Sequence, residues 1–465
     1  MLFNSYEFIF IFLPVTMLVF YGLTYFRKVR ASIWWIGFAS LFFYAYWNWR
    51  FLFLFAISIV FNYFLGNTIT DARSANRQKY YLILGLIANL SLLAYFKYTN
   101  FFLQNFSALT GVGLTLPEII LPVGISFFTF TQIAYIVDCA RSKQSKYRFS
   151  DYVLFVSFFP HLVAGPILMH NATIPQIESK RFGRPSARKV SMAIQFFSIG
   201  LFKKIIIADN LALFVDPLFK NAHHLSLFDA WVAALLYTFQ IYFDFSAYSE
   251  MAVGLALLMN VRIPFNFNSP YKALSIVDFW RRWHISLSSF LRHYLYIPLG
   301  GNRNGALRRY INLFITMLLG GLWHGASWTF VIWGGLHGSY LAINHFWKVT
   351  GLKLSSYLAW VITFFAVVIA WVFFRAQTLS AATSLLKSMI GYNHAYSWPS
   401  SLSVTPTMMI ICISLFVCWA VAVPNTQQIV INRQPKMRIA IPIVLMLVLG
   451  ILGLGKSDNF IYFQF

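Results

Sequence analysis

Acidic residues are scarce, with 13 Asp and Glu against 36 Lys and Arg in a chain of 465 residues. Charged residues of both signs make up only 11% of the sequence, whereas 59% is hydrophobic and 19% aromatic. That much apolar surface cannot be hidden in one soluble core, so a water-soluble globular fold is excluded and a bilayer is required. Cysteine is nearly absent, and Cys139, Cys412 and Cys418 have no metal-ligand spacing, which indicates neither a disulfide framework nor a zinc site. There is no HExxH spacing, P-loop or dinucleotide fingerprint, no internal repeat, and no loop long enough for a separate soluble domain. The first apolar run lacks the basic start and small-residue cleavage site of a signal peptide, so it is expected to remain as a membrane helix.

What is present is a succession of apolar runs of membrane-spanning length. Inside lipid every backbone polar group must be satisfied within its own helix or by protein around it, which makes the fold class all-α and polytopic. The net charge of +23 is spread over short clusters between those runs and forms no continuous stripe. It matches cytoplasmic loops under the positive-inside rule and points away from nucleic acid as a partner.

The sign rule orders the chain. Arg27, Lys28 and Arg30 after the first run belong inside, which puts the N-terminus outside. Arg73, Arg77 and Lys79 after the third run return inside, and a span over 80–96 leads to a nearly uncharged outer segment, 100–116. A fifth span comes back to Arg141, Lys143, Lys146 and Arg148. The next run, YVLFVSFFPHLVAGPI, has basic residues on both flanks, so it enters and leaves by one face as a re-entrant element broken at Pro160, Gly165 and Pro166. Spans over 190–207 and 230–259 follow, the second carrying Asp244 and Glu250. Residues 260–309, rich in Arg, are expected on or within the cytoplasmic leaflet. Further spans near 311–322, 328–346, 358–374, 407–423 and 439–454 bring the tail KSDNFIYFQF outside. The expectation is about twelve crossings and one re-entrant element. All of 1–465 forms one membrane domain: N-terminal helices 1–150, re-entrant element and basic loop 151–190, core 191–348, C-terminal helices 349–455 and aromatic tail 456–465.

Two tryptophan-flanked histidines mark the core. His324, in GGLWHGASW beside Trp323, is an ionisable group at membrane depth, where hydrocarbon offers no solvation. It is either a helix-packing histidine bonded to a carbonyl or a neutral imidazole able to take a proton from a hydroxyl. His284, in WRRWHISL, lies on an amphipathic interfacial segment, either as a polar-face residue or as a participant in chemistry. Its arginine neighbours are expected to disfavour its protonation. His161 and His337 lie in apolar surroundings and are candidates to line a cavity. Asp244 and Glu250 either orient a histidine or pair with an arginine from the following segment. Arg281, Arg282, Arg292 and Arg303 satisfy the topology rule and would also suit a phosphate-rich donor arriving from the cytoplasm.

The segments LPVGISFFTF, FDFSAYSEMAVGLALLM, DFWRRWHISLSSFLRHYLYIPLGGN and LLGGLWHGASWTFVIWGGLHG together resemble the membrane-bound O-acyltransferase family, and within it the alginate O-acetyltransferase branch. The membrane protein of teichoic-acid D-alanylation is a more distant relative. The resemblance implies a ring of about 11–12 transmembrane helices with re-entrant and interfacial helices around a thin centre. A tunnel there would join a cytoplasmic donor site to an outer funnel. It maps the family's essential histidine onto His324 and a second, upstream histidine onto His284. It implies acetyl-CoA as acyl-donor substrate, no permanently bound cofactor, and the hydroxyl of an exported polysaccharide as eventual acceptor. The implied location is the bacterial inner membrane, with both termini periplasmic. Implied partners, besides membrane lipids, are a separate periplasmic SGNH-type acetyltransferase and the exopolysaccharide synthesis and export machinery. The tail Phe460–Phe465 resembles the aromatic terminus of a small D-alanylation peptide whose tyrosine relays an acyl group, which makes Tyr462 a candidate acceptor as well as a plain interface anchor. Two competing functions stay open: a D-alanyl transferase of the teichoic-acid type, and a transporter that passes an acyl donor or polymer without making a bond.

Overall fold

The computed structural model describes residues 1–114, 116–142, 146–392, 405–432 and 437–455, and every regular element among them is helical. A helix stands at each position where the charge pattern places a span. Five are long and apolar enough to cross a membrane by length and composition: 7–25, 50–71, 75–110, 187–220 and 356–375. The apolar helices 29–45, 407–422 and 440–452 are shorter. Two compact units partition the chain, Met1–Ile199 with Tyr248–Phe265, and Gly200–Ala247 with Asn266–Phe465.

In the first unit, polar side chains join apolar helices. Asn62 on the Arg50–Asp71 helix and Asn89 on the Ala75–Leu93 helix exchange amide hydrogen bonds of 3.1 and 2.8 Å. Each also donates to the carbonyl four residues before it, so both buried amides are satisfied where lipid offers nothing. The fourth span continues further than expected. A π-helical turn at Ala94–Tyr98 passes it into the Thr99–Thr110 helix, which stops at Gly111 in a left-handed conformation. The segment 100–116 therefore begins as helix, because no glycine or proline interrupts residues 86–110.

The run expected to be re-entrant forms two short helices, Phe149–Ser157 and Phe159–Leu162. The break falls at Phe158 (φ −47°, ψ 104°), just before the expected Pro160. Pro160 sits in the first turn of the second helix, where its missing N–H costs nothing. Buried Asp151 on the first of these helices takes an ion pair from Arg30 at 2.8 Å, joining two stretches that the sign rule puts on the cytoplasmic face.

In the second unit the Gly305–His324 and Trp328–Thr350 helices form a hairpin whose backbones touch. A Cβ added at Gly334 would strike the Met317 carbonyl and the backbones of Leu318 and Gly321, none of which can swing aside. Gly334→Ala is therefore expected to part the helices and cost about 1–3 kcal/mol. Thermal unfolding in detergent should show a lowered midpoint, and an unchanged midpoint would mean that the hairpin tolerates a wider spacing.

Candidate active site

The site in the second unit is built first from the segment around His284. Ser275 caps the short Ile276–Arg282 helix by accepting the Asp278 N–H, and Arg282 closes an ion pair with Asp278 at 2.9 Å. The chain then turns at His284, whose φ of 42° and ψ of 54° lie in the left-handed region, before the Ile285–Leu291 helix begins. A side chain with a Cβ holds that conformation at a cost of about 1–2 kcal/mol, so its surroundings must enforce it. Residues 266–268 do so from both sides. The Asn268 N–H donates to the Arg282 carbonyl, the Ile285 N–H donates to the Asn266 carbonyl, and the Ser286 hydroxyl donates to the Asn266 side-chain oxygen at 2.6 Å.

The strained turn buries the imidazole completely. His284 and His337 are 0% exposed and His324 is 4% exposed. Phe245 packs edge-to-face with His284 at 4.7 Å between ring centroids, and neither His284 ring nitrogen finds a hydrogen-bond partner among the described residues. Burial holds this imidazole well below the usual histidine range. Desolvation, and not the neighbouring arginines, is the leading cause.

His324 ends its helix, and its ring packs against Trp323 at 4.8 Å, Trp333 at 5.1 Å and Phe374 at 5.1 Å. Trp323 also approaches the His284 ring at 6.4 Å, so one indole separates the two histidines. His337, one helical turn beyond Trp333, packs on that tryptophan at 4.8 Å and accepts the Trp280 Nε1–H at its Nδ1, 3.2 Å away. The fold thus gathers His284, Trp323, His324 and His337 into one aromatic enclosure. Within it a neutral imidazole can accept a proton from a hydroxyl without competition from water.

The other candidate residues lie elsewhere or act otherwise. The Asp244 carboxylate meets Lys204 at 2.8 Å, and Lys204 also holds Asp209 at 2.8 Å. Lys204 and Asp209 are five residues apart on a π-helical turn, Lys203–Ala208, and that wider turn brings such a pair onto one face. The sequence reading passed over Lys204. The available signal was an unassigned lysine in one apolar span followed by an acid in the next, two charges that can neutralise each other. Arg281, Arg292 and Arg303 are exposed, as a surface for an anionic group requires. His161 belongs to the first unit, with its Nε2 at 3.0 Å from the Phe155 carbonyl oxygen. Tyr462 lies outside the described residues.

Comparison with known proteins places this geometry in context. The family model of the membrane-bound O-acyltransferases matches residues 41–383. A peptidoglycan O-acetyltransferase of Helicobacter pylori is 47% identical over 423 residues, covering 84% of this chain and 80% of that protein. A probable alginate O-acetylase of Pseudomonas aeruginosa is 45% identical over 402 residues, covering 84% of this chain and 75% of its own length. A teichoic acid D-alanyltransferase of Streptococcus thermophilus is 27% identical over 239 residues, covering 48% of this chain and 57% of that protein. The chain belongs to the membrane-bound O-acyltransferase family and is a multi-pass membrane acyltransferase.

Proposed function

We propose that this acyltransferase moves acetyl groups from a cytoplasmic thioester, acetyl-CoA, across the inner membrane for O-acetylation of an exported polysaccharide. The observation that carries this reading is the buried constellation of His284, Trp323 and His324, in which a neutral imidazole is held against aromatic rings. His324 acts as the general base, and His284 assists it. The exposed Arg281, Arg292 and Arg303, with Arg282 beside Asp278, receive the phosphates of the donor. The higher identity and longer coverage of the O-acetyltransferase relatives favour acetylation over D-alanylation.

The acetyl group leaves on the periplasmic side, where the sign rule puts both termini. There it passes through Tyr462 to a separate SGNH-type transferase that works with the polysaccharide synthesis and export machinery. A phenol with an ordinary pKa of about 10 becomes a competent nucleophile only with a base to take its proton. Tyr462→Phe is expected to abolish polysaccharide acetylation in cells while purified protein still hydrolyses acetyl-CoA, with water taking the acetyl group as acetate. Full acetylation by that variant removes the relay and leaves the base in place. Binding of acetyl-CoA without turnover, even with the periplasmic partner present, would instead identify a transporter.

A further inference from the structure

The site holds more buried hydrogen-bond donors than the protein satisfies. Among the described residues the indole N–H groups of Trp333 and Trp371 and the Nε2 of His337 find no hydrogen-bond partner, although all three rings are buried. A buried polar group left unpaired costs about 1–3 kcal/mol. Such groups persist where a ligand supplies the partner.

His337 is the best defined of the three. Its Nδ1 accepts the Trp280 Nε1–H, and an imidazole that accepts at Nδ1 carries its proton on Nε2. Trp280 thereby fixes the tautomer and leaves one N–H of known position unused. Trp333 contacts both His337 and His324, with ring centroids 4.8 and 5.1 Å away. One unpaired donor, Trp333, therefore packs against the base that the proposed function assigns, and the second, His337, packs against that tryptophan.

We propose that the His337 Nε2–H, assisted by the Trp333 Nε1–H, binds the carbonyl oxygen of the acyl thioester and stabilises the oxyanion formed during transfer. This rests on the acyl-transfer reading above. The acceptor hydroxyl oxygen bonds to the acyl carbon as His324 takes its proton, and the carbonyl π electrons move onto the oxygen facing His337. The carbonyl then re-forms, the C–S bond breaks, and the departing thiolate takes the proton from His324. His337 keeps its own proton throughout and touches the reacting carbonyl, whereas Trp280 is a positioning residue.

The test uses the full-length protein in lipid nanodiscs, with acetyl-CoA as probe, water as the acceptor that carries the acetyl group away as acetate, and release of the thiol as readout. His337→Phe keeps a ring but removes the donor, and kcat is expected to fall about 10²–10³-fold with KM unchanged. His337→Gln can accept from Trp280 and still donate, and should restore about tenfold or more of that loss. Trp280→Phe frees the tautomer and should lower kcat in the same direction while the protein unfolds at the wild-type temperature. Wild-type kcat in His337→Phe overturns the proposal, as does a loss that Gln fails to restore in a protein of unchanged thermal stability. Should both His337 variants fail to fold, wild-type kcat in Trp280→Phe overturns it. Absence of thiol release by the wild type, or release that survives His324→Ala, overturns the acyl-transfer reading and this proposal with it.

Discussion

Alanine in place of His324 is expected to lower acetyl transfer about 10²–10⁴-fold, the contribution of a positioned general base. The imidazole ends the Gly305–His324 helix and packs against Trp323, Trp333 and Phe374, none of which carries a basic nitrogen to take over. Removing it also opens a gap among those rings, and the stability of the variant must be measured beside its activity. His324→Gln fills more of the space and retains hydrogen bonding but cannot hold the proton. It should fail as alanine does while unfolding nearer the wild-type temperature. Normal polysaccharide acetylation in cells carrying His324→Ala would falsify the assignment of the base.

Lys204→Met is expected to be the most destabilising single change outside the histidine cluster, by about 3–5 kcal/mol. One ammonium group holds two carboxylates, Asp209 and Asp244, each at 2.8 Å, and all three side chains are largely or fully buried. Without Lys204 both acids lose the ammonium group that they share. Asp244→Asn should cost less, because Lys204 keeps Asp209 as its partner. Combining Lys204→Met with Asp244→Asn should recover part of the loss, since a buried ion pair removed together leaves less uncompensated charge than one removed by halves. Thermal unfolding of the three variants in detergent ranks them, and a Lys204→Met midpoint equal to wild type would show that the acids find water or protons instead.

The helices were legible in the sequence because lipid imposes a length and a sign rule on every apolar run. The turns inside them were not. Neither Ala94–Tyr98 nor Lys203–Ala208 carries a proline or glycine to announce a π turn, yet the first lengthens a span and the second aligns Lys204 with Asp209. Composition also drew attention to Pro160, whereas the backbone bends at Phe158 so that the proline can start a helix. Within the site, His324 and His284 stood out by type and surroundings. Their approach through Trp323, and the Trp280 bond that fixes His337, are long-range packing facts with no local signature. The left-handed backbone at His284 was equally hidden, because the bonds that enforce it come from Asn266 and Asn268.

The Lys204 ion pairs also constrain how this chain is delivered to the bilayer. A charge at the centre of a nascent helix costs about 2.5–3.5 kcal/mol to insert from the translocon. Lys204 and Asp209 are on the same helix, Ala187–Lys220, and can cancel before any other segment arrives. Asp244 belongs to the next one, Leu227–Leu258, and its pairing with Lys204 forms only when the two meet. Biogenesis therefore favours lateral release of these helices as a pair, with the lysine helix synthesised first and waiting for its acidic neighbour.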